Sequence, residues 1–243
     1  MSAARSASCL MTALALTVLT GCDSTQQQAA RARLKSLRVL ASAVPTVVGH
    51  RNPYVRVAGV TLLPGPSGTA ITVHLRSSAT HPLNDLPISV GIVARGGRHV
   101  RLNAAANVDY FETHLASIGA RGSVTWVFTT TRELPAAATP FAVVGARASV
   151  PPTTVQALPR IEVAATRSAT ASRMRVKVTN VSAVPQYQLQ VYAIGLRRGR
   201  DVAAGRVTID HLGTGSSETL ELPLLGDRSA TSVQLEAMPT MFQ

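Results

Sequence analysis

The sequence predicts an all-β protein carrying two tandem antiparallel β-sandwiches behind an export signal and a tether. Three observations lead there. From Tyr54 onward, apolar residues recur with period two and not 3.6. The alternating runs are short and are punctuated by turn-forming clusters such as Pro64-Gly-Pro-Ser-Gly68 and His81-Pro-Leu-Asn-Asp85. A comparable series of runs begins again after Pro151-Pro152. The composition agrees with a packed chain: 46% of the 243 residues are apolar and only 15% are charged, which argues against disorder.

Taken in order, residues 1–21 carry a short n-region with Arg5 as its only charge, then an apolar run from Leu10 to Leu19, then Leu19-Thr20-Gly21-Cys22. The run is too short to span a bilayer as a helix. The stretch resembles a bacterial lipoprotein signal. That resemblance implies diacylglycerol on the Cys22 thiol, further acylation, and cleavage just before Cys22. Cys9, the other cysteine, lies in the part removed, so no internal disulfide is available to the exported chain. Two or three acyl chains anchor stably where one is marginal.

Residues 22–53 read as a tether. Asp23–Ala30 is small and polar; within Arg31–Ala43, Leu34, Leu37 and Leu40 recur at helical spacing among Arg31, Arg33, Lys35 and Arg38. This segment reads either as a short basic amphipathic helix on a membrane face or as a stalk that is helical only in passing. Pro45 ends any helix.

The first sandwich is assigned to residues 54–150. Val55, Val57, Gly59 and Thr61 alternate with Arg56, Ala58 and Val60, and Ile71, Val73 and Leu75, then Leu86, Ile88, Val90 and Ile92, recur with the same period. The second is assigned to 155–243. At an offset of 103, Ile71, Val73 and Leu75 fall on Met174, Val176 and Val178, and Leu86 falls on Leu189; one residue is then dropped, and Gly97-Arg98 meets Gly199-Arg200. His114-Leu115 and His211-Leu212 each precede a glycine-containing loop and a further strand. An internal repeat with about seven strands per copy accounts for this order. The second copy, with its Asn180-Val-Ser182 turn, its alternating strand to Ile194, its Arg198-Gly199 hairpin and its Leu212-Gly-Thr-Gly loop, resembles the Ig-like modules of exported bacterial proteins of the FxLYD and CARDB type. The resemblance implies an Ig-like fold and a role in adhesion or scaffolding.

Candidates for chemistry are few. The six histidines form no short-spaced ligand pair, so neither a metal nor any cofactor beyond the covalent lipid is expected. His74 lies mid-strand on the face opposite the core and reads as solvated. His114 and His211, with Glu112 and Asp210 shortly before them, read either as carboxylate-oriented imidazoles or as strand ends that satisfy a loop. No Gly-x-Ser-x-Gly elbow or phosphate loop occurs, and no enzymatic activity is expected. Trp126 shares a face with Val124 and Phe128 and reads as core. Tyr187 and Tyr192 fall on opposite faces of one strand, which predicts an exposed Tyr192 on a contact surface.

The chain is basic, with 24 Lys and Arg against 12 Asp and Glu. The basic residues are scattered and not interleaved with aromatics, and export argues against a nucleic-acid partner. Arg95, Arg98 and Arg101 in one hairpin and Arg197, Arg198 and Arg200 in the other occupy comparable positions. They suggest a repeated basic rim for an anionic lipid or wall polymer, or solvated hairpin tips. The function expected is a lipid-anchored envelope protein that binds or scaffolds an envelope protein partner, with anionic-polymer or small-ligand binding through those hairpins as the alternative.

Overall fold

The computed structural model describes residues 48–104, 108–146, 157–170, 173–227 and 229–241, together with Arg31, Arg33, Leu34 and Leu37. The signal segment, Cys22, Asp23–Ala30 and the boundary at Pro151-Pro152 lie outside the described residues.

Strands dominate, as the alternation requires. β1 (Val55–Gly65) and β2 (Gly68–Ser77) form a hairpin. β2 also pairs with β6 (Ser123–Thr130), giving the order β1-β2-β6. The facing sheet is centred on β3 (Leu83–Val93), which pairs with β4 (His99–Arg101), β5 (His114–Ile118) and β7 (Thr139–Val144). A single helical turn, α1 (Tyr110–Thr113), precedes β5. Between the sheets lie Ile71, Val73, Leu75, Ile88, Val90 and Trp126, each at most 1% exposed. Fully burying one such aliphatic side chain stabilises by roughly 1.5–3 kcal/mol. The indole of Trp126 donates to the Phe111 carbonyl at 3.3 Å, so its one polar atom is satisfied.

The C-terminal half repeats this ladder order. β8 (Ile161–Thr170), β9 (Arg173–Asn180) and β12 (Ser217–Pro223) form one sheet, with β9 central. β10 (Gln186–Arg197) lies between β11 (Arg200–Leu212) and β14 (Ser232–Met238), and the short β13 (Leu225–Gly226) joins β11. The repeat extends to backbone detail. Asp85 (φ 55°) and Gln188 (φ 54°), 103 residues apart, are both left-handed non-glycine residues, each near the start of its strand, β3 and β10. Gly96 and Gly97 (φ 80° and 79°) are matched by Arg198 and Gly199 (53° and 75°), the turn that the two-residue hairpin before β11 requires.

The outer face of β1-β2-β6 is not solvent-facing. It packs against the outer face of β10, β11 and β14, so that four β layers are stacked. Thr72 and Val127 on one side, and Tyr192 and Ile194 on the other, are at most 1% exposed, although each points away from its own sandwich core. One apolar cluster therefore runs from the N-terminal core through Tyr192, Ile194, Ala204 and Met238. A second, made of Met174, Val176, Val178, Leu189, Val191, Ala193, Ile209, Leu212 and Leu222, stays within the C-terminal half. The backbones approach closely where the ends of β1 and β13 meet. A Cβ on Gly65 would stand 2.8 Å from the Gly226 nitrogen, so a side chain there would force the layers apart.

This packing corrects the expectation for Tyr192. The alternation does place it opposite the core residues Val191 and Ala193, but the other half covers that face, and Tyr192 is 0% exposed. Among the described residues no hydrogen bond reaches its hydroxyl. Tyr192→Phe is accordingly expected to leave stability unchanged or raise it by about 1 kcal/mol, because an unsatisfied buried hydroxyl is removed. Tyr192→Ala is expected to cost about 3–5 kcal/mol. Urea denaturation followed by tryptophan fluorescence checks both.

Candidate binding surfaces

The seam between the halves holds the densest set of polar contacts. Arg206, Tyr192 and Glu236 form a row across β11, β10 and β14, being ladder partners in pairs. The Arg206 side chain is 7% exposed and lies 3.1 Å from Glu112 Oε1 and 3.7 Å from Asp109 Oδ2, both from the α1 turn of the other half. Its Nη2 donates to Gln190 Oε1 at 3.3 Å. Burial pushes the Glu112 carboxyl above its ordinary range, more than Arg206 pulls it down. Glu236 accepts the Thr125 amide at 2.8 Å, and burial likewise raises its carboxyl.

A second chain of contacts runs beside the first. Asp201 Oδ2 accepts the Thr72 hydroxyl at 2.5 Å and faces His74 Nε2 at 2.7 Å, while His74 Nδ1 lies 3.1 Å from Thr125 Oγ1. A carboxylate only accepts, so Nε2 is the donor toward Asp201, and in a neutral imidazole Nδ1 then accepts from the Thr125 hydroxyl. The connectivity is that of an acid–imidazole–hydroxyl relay. Thr125 is 3% exposed at the closed seam, however, with Glu236 on its own amide. What the chain does there is satisfy three buried or half-buried polar groups. His74 thus points away from the core, as the alternation predicts, and keeps 39% of its side chain in solvent while bonded to Asp201 and Thr125. The C-terminal residues close the seam: Pro239 and Met241 carbonyls accept Ser117 Oγ at 2.7 Å and Asn84 Nδ2 at 3.2 Å.

The predicted basic hairpins separate into two environments. Arg95, Arg98 and Arg101 are exposed around the β3–β4 turn. Arg197, Arg198 and Arg200 are exposed too, but Arg197 bonds Ser229 at 2.7 Å and pairs with Asp227 at 3.3 Å, and the neighbouring Asp201 is tied to β2 of the other half. The two tips are equivalent in the repeat and inequivalent in their surroundings. Asp227, fully exposed, is held below the usual carboxylate range mainly by its bonds from Ser229.

His114 and His211 also part company. His114 faces Pro87, whose counterpart is Gln190, and Gln190 faces Thr208; His211 faces Tyr187. Their sequence match is three residues out of structural register. Each ring does lie against a tyrosine: Tyr110 stacks on His114 at 4.0 Å, and Tyr187 lies 4.8 Å from His211. Burial lowers the His114 pKa, with Asp85 opposing. Glu112, read in sequence as its orienting carboxylate, turns to Arg206. Among the described residues no group of three or more His, Cys, Asp or Glu is placed to hold a metal ion.

A further surface lies at the turn that follows β9. Asn180 is fully buried, and its side chain fixes the following turn: Nδ2 donates to the Val184 and Leu212 carbonyls at 2.9 and 3.2 Å, while Oδ1 accepts from the Ser182 amide and hydroxyl at 3.0 and 2.7 Å. The turn holds Val181 and Val184 in solvent, 44% and 48% exposed. In the tether, Arg31, Arg33, Leu34 and Leu37 are helical, with Leu34 57% and Leu37 55% exposed.

No protein-family model matches the chain, and no curated protein sequence does. Among solved structures it is similar to red sea bream transglutaminase at 12% identity, over 76% of this chain and 32% of that one, with a TM-score of 0.19. So loose an overlap says nothing about activity.

Removing the acceptor at Asp201 leaves Thr72 and His74 without their shared partner. Asp201→Ala is expected to cost about 1–3 kcal/mol in chemical denaturation. Glu236 predicts a pH dependence. Its folded pKa lies above the ordinary 4.5, so as pH rises past that value the unfolded chain releases this proton first and the fold loses stability. Glu236→Gln keeps an acceptor for Thr125 without the ionisation. The advantage of the variant over the parent chain in unfolding free energy should therefore be smallest near pH 4.5 and grow as pH rises, and a series of urea titrations measures it.

Proposed function

We propose that this chain is an exported, lipid-anchored envelope protein whose paired β-sandwiches act as a non-catalytic protein-binding or scaffolding module. The observation that best supports the reading is the turn at Asn180–Val184. Two apolar side chains are held outward there by a buried asparagine, so a partner would meet a surface whose ordering cost is already met by the fold. The seam adds support, because buried cross-half contacts fix that tip relative to the N-terminal half, as a scaffold requires. The anchor reading rests on Leu19-Thr-Gly-Cys22 and on Cys22 as the only cysteine of the exported part. The exposed Leu34 and Leu37 beside Arg31 and Arg33 suit a segment lying against a membrane surface.

The test is cross-linking in intact envelopes with the native chain, the Cys22→Ala form and a Val181→Ser/Val184→Ser form. A discrete protein adduct should form with the native chain, be lost with Cys22→Ala because the chain is no longer held at the membrane, and fall roughly tenfold with Val181→Ser/Val184→Ser, consistent with losing ~1–3 kcal/mol of apolar contact at the tip. Equal capture by the tip variant would remove the proposed contact. Release of all captured material by ~0.5 M salt would mark the association as electrostatic and the scaffold reading as wrong.

A further inference from the structure

At the start of β1 a cleft of about 650 Å³ is framed by residues 51–57, the end of β2 and β7. Its charge is one-sided: Arg51, Arg56 and Arg76 line it, and no Asp or Glu does. Arg56 and Arg76 are direct ladder partners, so both side chains leave the same face of the β1–β2 hairpin. Like charges directly opposite one another destabilise a sheet. Among the described residues no ion pair relieves this opposition.

The frame is well fixed. Asn52 Oδ1 accepts the amides of Tyr54 and Val55 at 2.9 and 3.1 Å, the Asn52 amide donates to the Val144 carbonyl at 2.9 Å, and the Ser78 amide donates to the Tyr54 carbonyl at 2.8 Å. Tyr54 stands at the rim, 53% exposed.

We propose that this cleft is a phosphate-binding site in which the three guanidinium groups share the oxygens of one phosphate group. Guanidinium forks match tetrahedral oxyanions in geometry as well as charge. Three cations in one cleft exceed the single charge of a carboxylate, whereas a phosphate monoester carries about −1.5 to −2 and offers three oxygens. The monoester belongs either to a soluble phosphate ester or to a lipid that ends in a phosphate monoester, as phosphatidic acid does. The site is separate from the Asn180–Val184 turn and does not depend on the scaffold reading.

The test uses the chain from residue 22 onward with Cys22→Ala, so that acylation adds no membrane affinity. One arm titrates glycerol phosphate by calorimetry. The other measures co-sedimentation with phosphatidylcholine vesicles with and without phosphatidic acid. Arg56→Gln/Arg76→Gln is compared with Arg121→Gln/Arg132→Gln, which removes the same charge from exposed arginines outside the cleft and outside the basic hairpins. The cleft variant should lose roughly tenfold or more in affinity, as charge-assisted hydrogen bonds of this kind imply, while the control variant keeps it. The cleft variant should also melt at the same or a higher temperature, since opposed charges are removed. Binding in the calorimetric arm identifies a soluble ester, and binding confined to phosphatidic acid vesicles identifies a lipid headgroup; either supports the site. Equal losses in both variants would reduce the effect to net charge and overturn the proposal. So would failure of the parent chain to bind either probe.

Discussion

The structure depends on a polar contact between two sheet faces that would each otherwise meet water. Arg206, Tyr192 and Glu236 on one side meet Glu112 and Thr125 on the other, with Asp201 tying β11 to Thr72 and His74 alongside. Removing charged groups from water costs several kcal/mol each unless they are paired and bonded. The pairing at this seam is therefore what permits four layers to stack. It also explains why Ala70, Thr72 and Val127 are fully buried on the outer face of their sheet.

The repeat and the seam are connected through the way the halves differ. In the C-terminal half, β11 runs unbroken along β10. In the N-terminal half the corresponding path is divided into β4, α1 and β5. The interruption creates the α1 turn, and that turn supplies Asp109 and Glu112 to Arg206. A tyrosine stack on His114 and the bond from Tyr110 to Asp85 hold α1 in place. Divergence between the two copies is thus concentrated where one copy must receive the other.

Consuming two sheet faces leaves turns and clefts as the places where another molecule can bind. The Asn180–Val184 turn and the Arg51/Arg56/Arg76 cleft belong to different halves and have opposite chemistry, one apolar and one cationic. Both are held by side-chain bonds from a single asparagine, Asn180 in one and Asn52 in the other. Each asparagine caps backbone amides or carbonyls that a strand leaves unpaired as the chain turns. The two candidate surfaces therefore share a structural origin in the way strands begin and end.

Period-two alternation determined the all-β class and most inward faces by itself, because side chains on a strand leave it on alternate sides whatever lies beyond. Trp126 with Val124 and Phe128 was assigned correctly on that ground alone, whereas in β1 a bulge between Val57 and Gly59 turns Val60 and Leu62 inward in place of Gly59 and Thr61. Alternation cannot say what covers the second face of a sheet. Tyr192 was read as solvent-facing for that reason, and only the stacking of the halves decided its burial. Register was decided by the tertiary structure as well. The left-handed residues Asp85 and Gln188 mark equivalent positions that their side chains do not announce, and His114 matches His211 in sequence but not across the ladder. The basic cleft was illegible for a related reason. Arg51, Arg56 and Arg76 are separated in sequence, and it is the return of β2 along β1 that places two of these charges directly opposite each other.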